Sequence, residues 1–397
     1  MADLVTRFRD VFGDSGPVRV VRAPGRANLI GEHTDYNGGF VMPMAIDRAV
    51  RIALVPHDQP VVAIRSVQFD EQAEFRPGEA EPAGVPHWLR YPMKAAEVLA
   101  EEGIVLRGFR AVVDGDVPVG SGLSSSSACT VASLLAFLVS ARADVPAGLA
   151  AGLAEAHGLS TRRLAELGQK AEHRVGVLGG IMDQFVSLHG RAGHAILLDC
   201  RDLSYEAFPL PTDRAKVVIM DSAVPRRLTE GAYNERRRQC EEGVERLRAF
   251  DPAVRELRDV SWELFEAHQE SLPEVIRRRC RHVITENARV LESAEALKAG
   301  DLARFGELLN ASHDSLRDDY EVSRSELDLL VEIARGIEGV LGSRLTGAGF
   351  GGCTVTLARP EAVEPLRAAV LEHYPRQTGL APRIWVSEAA AGAAVEQ

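Results

Sequence analysis

Hydrophobic and polar positions change their rhythm several times along the chain. Val18 to Val21 reads as a short strand that ends at Ala23-Pro24-Gly25. Val50 to Val55 and Val61 to Arg65 read as two more, parted by a Pro/His/Asp turn, and Phe109 to Val113 as another running into Asp114-Gly115-Asp116. Apolar residues at Val131, Leu134, Leu135 and Leu138 then follow the i, i+3, i+4, i+7 spacing of an amphipathic helix. A second helix, about Thr161 to Val175, carries Leu164, Leu167, Gly168, Ala171 and Val175 on one stripe. HAILLD and KVVIMD return to strand. Residues 229–340 are mostly helical and highly charged, as in Tyr233 to Phe250 and Glu286 to Ala299. CTVTLA, a helix near Glu361 to His373, and a last strand around Arg383 to Val386 close the pattern. Strands and helices mixed in this order, with a helical insertion, predict an α+β protein of two lobes. The break is expected near residues 205–215, around Pro209 and Pro211, giving lobes at 1–208 and 209–397.

Composition narrows the function classes. The chain has 397 residues, with 46 Lys plus Arg against 57 Asp plus Glu and a formal net charge of -11. That length suits two domains. The acidic balance argues against a general nucleic-acid or anionic-membrane binder, because phosphate contacts need surplus Lys and Arg. Five scattered cysteines without a CxxC pair exclude a disulfide framework or a clustered zinc site and point to a reducing compartment. The first residues lack the apolar core of a signal peptide, and no apolar run reaches the ~18 residues of a membrane span. A cytoplasmic protein is expected.

Three glycine-rich segments carry the candidate chemistry. In Gly25-Arg26-Ala27-Asn28-Leu29-Ile30-Gly31-Glu32-His33-Thr34-Asp35-Tyr36 the order of polar groups fits neither a helix face nor a strand alternation. Carboxylates and an imidazole are groups that fix sugar hydroxyls by paired hydrogen bonds, and an arginine beside them suits a phosphate. Pro118-Val119-Gly120-Ser121-Gly122-Leu123-Ser124-Ser125-Ser126-Ser127 lies between a strand and a helix. Its small residues let backbone N–H groups approach a phosphate at a helix N-terminus, although serines that merely cap the helix would look the same. It is no Walker A loop, because no lysine occurs between Val117 and Lys170. Leu345-Thr346-Gly347-Ala348-Gly349-Phe350-Gly351-Gly352-Cys353 suggests close backbone packing, against a ligand or within a hairpin.

Two carboxylates stand apart. Glu172 falls on the apolar stripe of its helix, costly to bury unless it is paired or binds a metal. Asp183, in Gly179-Gly180-Ile181-Met182-Asp183-Gln184-Phe185, sits among apolar neighbours as a candidate base or a helix cap. Arg236-Arg237-Arg238 reads as a solvated helix face.

Together the three segments resemble the GHMP small-molecule kinases and, within them, the galactokinases. GRANLIGEHTDYNGG is similar to the galactokinase signature, PVGSGLSSSS to the superfamily phosphate loop, and LTGAGFGGC to its third motif. AEH at 171–173, GGIMDQF at 179–185, HAILLDCRDL at 194–203, YNERRRQCEE at 233–242 and SHDSLRDDYEVS at 312–323 extend the likeness over about residues 17–390. The resemblance implies an N-terminal lobe of the ribosomal-protein-S5 type and a ferredoxin-like C-terminal lobe with a helical insertion, with the site between them. It implies ATP-dependent phosphorylation of the anomeric hydroxyl of α-D-galactose, and a monomer is expected. Asp183 would be the catalytic base and Arg26 would stabilise the transition state. Glu32, His33, Thr34, Asp35, Gly180 and Tyr233 would contact the sugar. Gly120, Ser121, Gly122, Leu123, Ser124, Ser125 and Ser126 would cradle the phosphates, Trp88 would lie near the adenine, and Ser126 with Glu172 would hold Mg²⁺. His173 to Gly179 is one residue shorter than is typical, and Ala348 replaces a frequent glycine. A kinase for N-acetylgalactosamine or another related sugar, and a non-catalytic galactose and ATP sensor, are the alternatives.

Overall fold

A computed structural model describes residues 2–13, 16–142, 144–145, 147–224 and 229–396. After α1 (Ala2–Phe12) the chain forms β1 (Arg19–Asn28), β2 (Phe40–Val41), β3 (Pro43–His57), β4 (Val62–Ser66), β5 (Glu71–Phe75), α2 (His87–Glu101) and β6 (Gly108–Gly115). The short β7 (Gly148–Leu149) and the last strand, β14 (Ala394–Val395), complete one sheet in the order β5-β4-β6-β3-β1-β14-β7. Period-2 alternation decides which layer each side chain enters. Val21, Ile52 and Leu54 join the core beneath the helices, whereas Val20, Ala53 and Val55 point the other way and pack with Phe8 of α1.

The helical layer consists of α3 (Ser125–Ser140), α4 (Ala150–Glu155), α5 (Thr161–Val175) and α6 (Met182–His189), together with α2. The spacing in α3 predicts one buried face. The structure buries Val131, Ala132, Leu134, Leu135, Ala136, Phe137 and Leu138 alike, because α3 packs on β1 and β3 while α2 and α5 cover it. Replacing Phe137 by alanine there should cost about 3–5 kcal/mol.

A three-stranded sheet, β2-β8-β9, joins the lobes through β8 (His194–Asp199) and β9 (Tyr205–Pro209). Next comes β10 (Lys216–Asp221), then an insertion of α7 (Thr229–Arg248), α8 (Trp262–His268), α9 (Glu274–Ala299) and α10 (Leu302–Asp318). α11 (Ser325–Arg335), β11 (Val340–Thr346), β12 (Cys353–Ala358), α12 (Val363–Thr378) and β13 (Arg383–Ser387) finish the second lobe. Without the insertion this is βαββαβ with sheet order β11-β12-β10-β13, the ferredoxin-like arrangement. The expected two-lobed α+β fold is therefore present.

Three expectations change. β1 does not stop at Pro24-Gly25 but continues to Asn28, passing the proline through a register shift between Pro24 and Arg26. A bulge accommodates a residue that cannot donate to the ladder, and it re-aims the chain. The C-terminal segment does not end at β13. It crosses back, and β14 pairs with β1 of the first sheet. Nor is Arg236-Arg237-Arg238 simply a solvated face. Arg236 donates to Tyr320 O at 2.8 Å and Arg237 to Leu178 O at 3.1 Å, while Arg238 pairs with Glu235.

Candidate active site

The bulge in β1 brings Arg26 to a cleft of about 800 Å³ whose walls come from both lobes. Its guanidinium grips Asp183 with two bonds, Nε to Oδ1 at 2.7 Å and Nη2 to Oδ2 at 3.0 Å, and Nη1 donates to Gly122 O. Asp183 lies in the first turn of α6, with Ile181 at the cap position. Ser124 donates its hydroxyl to the same carboxylate. This serine takes φ 61 at the N-cap of α3, a left-handed conformation that turns the phosphate loop sharply into the helix. Ser124 therefore belongs as much to the carboxylate as to the loop.

Gly120, Gly122, Ser124, Ser125 and Ser126 line the cleft in front of the α3 N-terminus. Ser121 and Leu123 do not. The Ser121 hydroxyl donates to Pro118 O at 2.7 Å, and Leu123 is wholly buried with its carbonyl accepting from Arg26 N at 3.0 Å. Gly347 of the third motif packs against this loop from the second lobe, where a Cβ would lie 2.7 Å from Gly122 O. The third motif thus forms a wall of the cleft.

The turn after β1 supplies Glu32, His33 and Asp35 to the cleft, and Gly180 and Tyr233 face it from the α5–α6 connection and α7. Glu32 is 1% exposed and bridges the lobes. It accepts from Asn28 Nδ2 and Gly347 N, both at 2.9 Å, from Thr346 Oγ1 at 3.2 Å, and it pairs with the buried Arg344. Burial still pushes its carboxyl up, against the pull of Arg344. His33 lies 2.8 Å by Nδ1 from the Tyr36 hydroxyl, which lies 2.7 Å from that of Tyr320. Burial drives His33 well below its usual range, so the imidazole is neutral. Asp35 rests on the α-carbon of Gly180, and burial with the nearby Asp183 pushes its carboxyl up to about 7. Thr34 is buried away from the cleft, its hydroxyl 2.8 Å from Gly31 O and 2.6 Å from Phe40 O. It braces the turn.

Glu172 has not reached the surface at the end of its stripe. It is 5% exposed, meets the hydroxyls of Ser127 and Thr130, and is pushed up to about 8, chiefly by burial. Gly176 ends α5 in the left-handed region at φ 117, so the short connection turns at once and delivers Gly180 to the cleft that Glu172 lines from α5. At the far end the Trp88 and Phe69 rings are parallel within 9°, centroids 6.5 Å apart, with Trp88 Nε1 donating to Glu71 at 2.8 Å. Sequence reasoning missed Phe69, Arg344 and Tyr320. Tyr320 sits in SHDSLRDDYEVS, a stretch singled out only for its likeness, and nothing local to Phe69 or Arg344 marks either.

Family profiles described as GHMP kinases N terminal domain and GHMP kinases C terminal match residues 90–191 and 293–376. The mevalonate kinase of Methanococcus jannaschii shares the fold, with a TM-score of 0.63 at 16% identity over 95% of this chain and 99% of that one. The class is thus a GHMP kinase. The profile described as galactokinase galactose-binding signature matches residues 6–56. Galactokinase of Roseiflexus sp. (strain RS-1) is 45% identical over 98% of this chain and 96% of its own length. That of Halalkalibacterium halodurans is 40% identical over 97% and 95%. The crystal structure of Lactococcus lactis galactokinase complexed with galactose superposes with a TM-score of 0.91 at 36% identity, covering 99% of this chain and 98% of that one. The chain belongs to the galactokinase family.

Proposed function

We infer that the protein transfers the γ-phosphoryl group of ATP to the anomeric hydroxyl of α-D-galactose, giving galactose 1-phosphate and ADP. One observation carries the reading. A carboxylate, Asp183, is held by Arg26 and Ser124 where the sugar signature meets the phosphate loop. Phosphoryl transfer asks for positioning and charge neutralisation more than covalent help. Asp183 takes the proton of the anomeric hydroxyl as that oxygen bonds to the γ-phosphorus and the bond to the bridging oxygen of ADP breaks. Arg26, which already touches both Asp183 and the loop, offsets charge on the phosphoryl group. Glu32, His33, Asp35, Gly180 and Tyr233 hold the sugar. Gly120, Gly122, Ser125 and Ser126 hold the phosphates at the α3 N-terminus, and Trp88 with Phe69 borders the base.

The donor set suits Mg²⁺. Glu32, Asp35, Glu71, Asp114, Glu172 and Asp183 line the cleft with Arg26 as the cation among the described residues, and an anionic triphosphate must enter beside them. Buried Glu172 meets the hydroxyls of Ser127 and Thr130 there. Ser126 and Glu172 would hold the ion, which would neutralise part of the triphosphate charge. Residues 1–208 then form the lobe of the signature and phosphate loop, and residues 209–397 the opposing lobe, apart from the returning β14.

A coupled ADP-release assay over a panel of sugars tests the reading. Turnover with galactose above N-acetylgalactosamine and the epimers of galactose is expected. Sugar binding without turnover would replace it with a sensor.

A further inference from the structure

The turn that carries Glu32, His33 and Asp35 runs outside any strand until Phe40, so its buried backbone groups need partners from elsewhere. Three come from one helix of the opposite lobe. Gly31 N donates to Glu286 at 2.9 Å, Phe40 N donates to Asn287 Oδ1 at 2.9 Å, and His282 Nε2 lies 3.1 Å from Glu32 O. Positions 282, 286, 287 and 290 share one face of α9 at helical spacing, and Val290 packs so close that a Cβ at Gly31 would come within 2.9 Å of it. All four are buried.

The anchors are themselves fixed. Burial holds the His282 imidazole down to about 4, so it is neutral near pH 7. A carbonyl can only accept, hence Nε2 carries the proton and Nδ1 accepts from Ser315 at 2.9 Å. Glu286 would be pushed up by burial, but Arg289, His282, Arg344 and the Ser312 hydroxyl outweigh it and hold it at about 2. Arg289 sits 2.7 Å from it, and Ser312 belongs to α10. The Asn287 Oδ1 also presses on Gly39, where a Cβ would lie 2.3 Å away.

We propose that His282, Glu286 and Asn287 are positioning residues for the sugar, through which the helical insertion sets galactose affinity without touching the substrate. They fix the backbone on both sides of the residues that hold the sugar, whereas Arg26, Asp183 and the phosphate loop stand on other elements. The inference rests on the sugar-phosphorylation reading. Its signature is a split between the two substrates, because lost positioning of a ground-state contact appears in KM rather than kcat.

Asn287→Ala and His282→Phe each remove one anchor on a different turn of α9. The phenylalanine keeps an aromatic ring against Tyr320, now 4.5 Å from the imidazole. In each folded variant the galactose KM should rise about tenfold or more, with the ATP KM and kcat within about twofold of wild type. A galactose KM within twofold of wild type in either folded variant overturns the proposal. So does a proportional loss across both substrates and kcat, or failure of both variants to fold, since each would make α9 a support of the lobe rather than of the turn. If the wild-type protein bound galactose without turnover, the functional reading would fail by itself. Calorimetric galactose affinities of the same variants would then decide the anchoring question.

Discussion

Gly180 is where the structure turns a one-atom change into a kinetic result. A Cβ built there would lie 2.0 Å from Asp35 Oδ2, 2.2 Å from its Cγ and 2.8 Å from its Cβ. Ordinary contacts begin near 3.4 Å, so in Gly180→Ala the carboxylate must retreat by more than an ångström. Gly180 is absent from the residues with positive φ, which leaves alanine unstrained and makes the effect purely steric. A displaced Asp35 loses a hydrogen bond from a sugar hydroxyl to a charged acceptor, worth roughly 1.5–3 kcal/mol. At about 1.4 kcal/mol per tenfold, the galactose KM should rise roughly 10- to 150-fold while the ATP KM stays put. The assay is ADP release at saturating ATP with galactose varied. The companion is a double-mutant cycle with Asp35→Ala, because two changes acting on one contact do not add. Gly180→Ala Asp35→Ala should be no worse than Asp35→Ala alone. A galactose KM within twofold of wild type would refute the reasoning, and fully additive costs would show that the methyl group acts on something other than Asp35.

Asp183→Asn should fold and bind galactose but lose turnover by about 10² or more, the usual share of a general base; near-normal kcat would remove Asp183 from the proton transfer. Glu172→Gln should raise the Mg²⁺ midpoint of activity and leave galactose binding unchanged. In Mg²⁺-free buffer Glu172, pushed up to about 8 from an ordinary 4.5, makes its stabilising contribution fully below 4.5 and loses it as pH rises through about 8. Glu172→Gln should therefore melt higher than wild type at pH 8.5, with the gap closing toward pH 5; a gap that does not depend on pH would assign the effect to packing. Asp35, pushed up to about 7, accepts hydrogen bonds at both oxygens only once ionised. Galactose affinity measured by calorimetry should thus strengthen as pH rises from 6 to 8, and Asp35→Asn should flatten that profile.

Much of this was legible in the residues. The alternation of Val20 with Val21 and of Ala53 with Leu54 assigns strand faces without any partner, because a pleated strand has period two wherever it packs. The signature, the phosphate loop and Glu172 on its apolar stripe were readable because each is a local pattern that conflicts with plain helix or strand logic. Three things were not. Pro24-Gly25 looks like a terminator, and only a partner strand that accepts a bulge lets β1 carry on and aim Arg26 at Asp183. Thr34 and Ser121 carry polar groups like their neighbours, yet backbone geometry turns their hydroxyls inward to carbonyls. The network of Glu32, Arg344, Glu286 and His282 joins positions hundreds of residues apart, so no spacing announces it. The sequence alone determined which chemical groups the protein possesses and which local elements carry them. Their protonation and their partners were decided by the tertiary structure, since burial and distance depend on which distant segments meet.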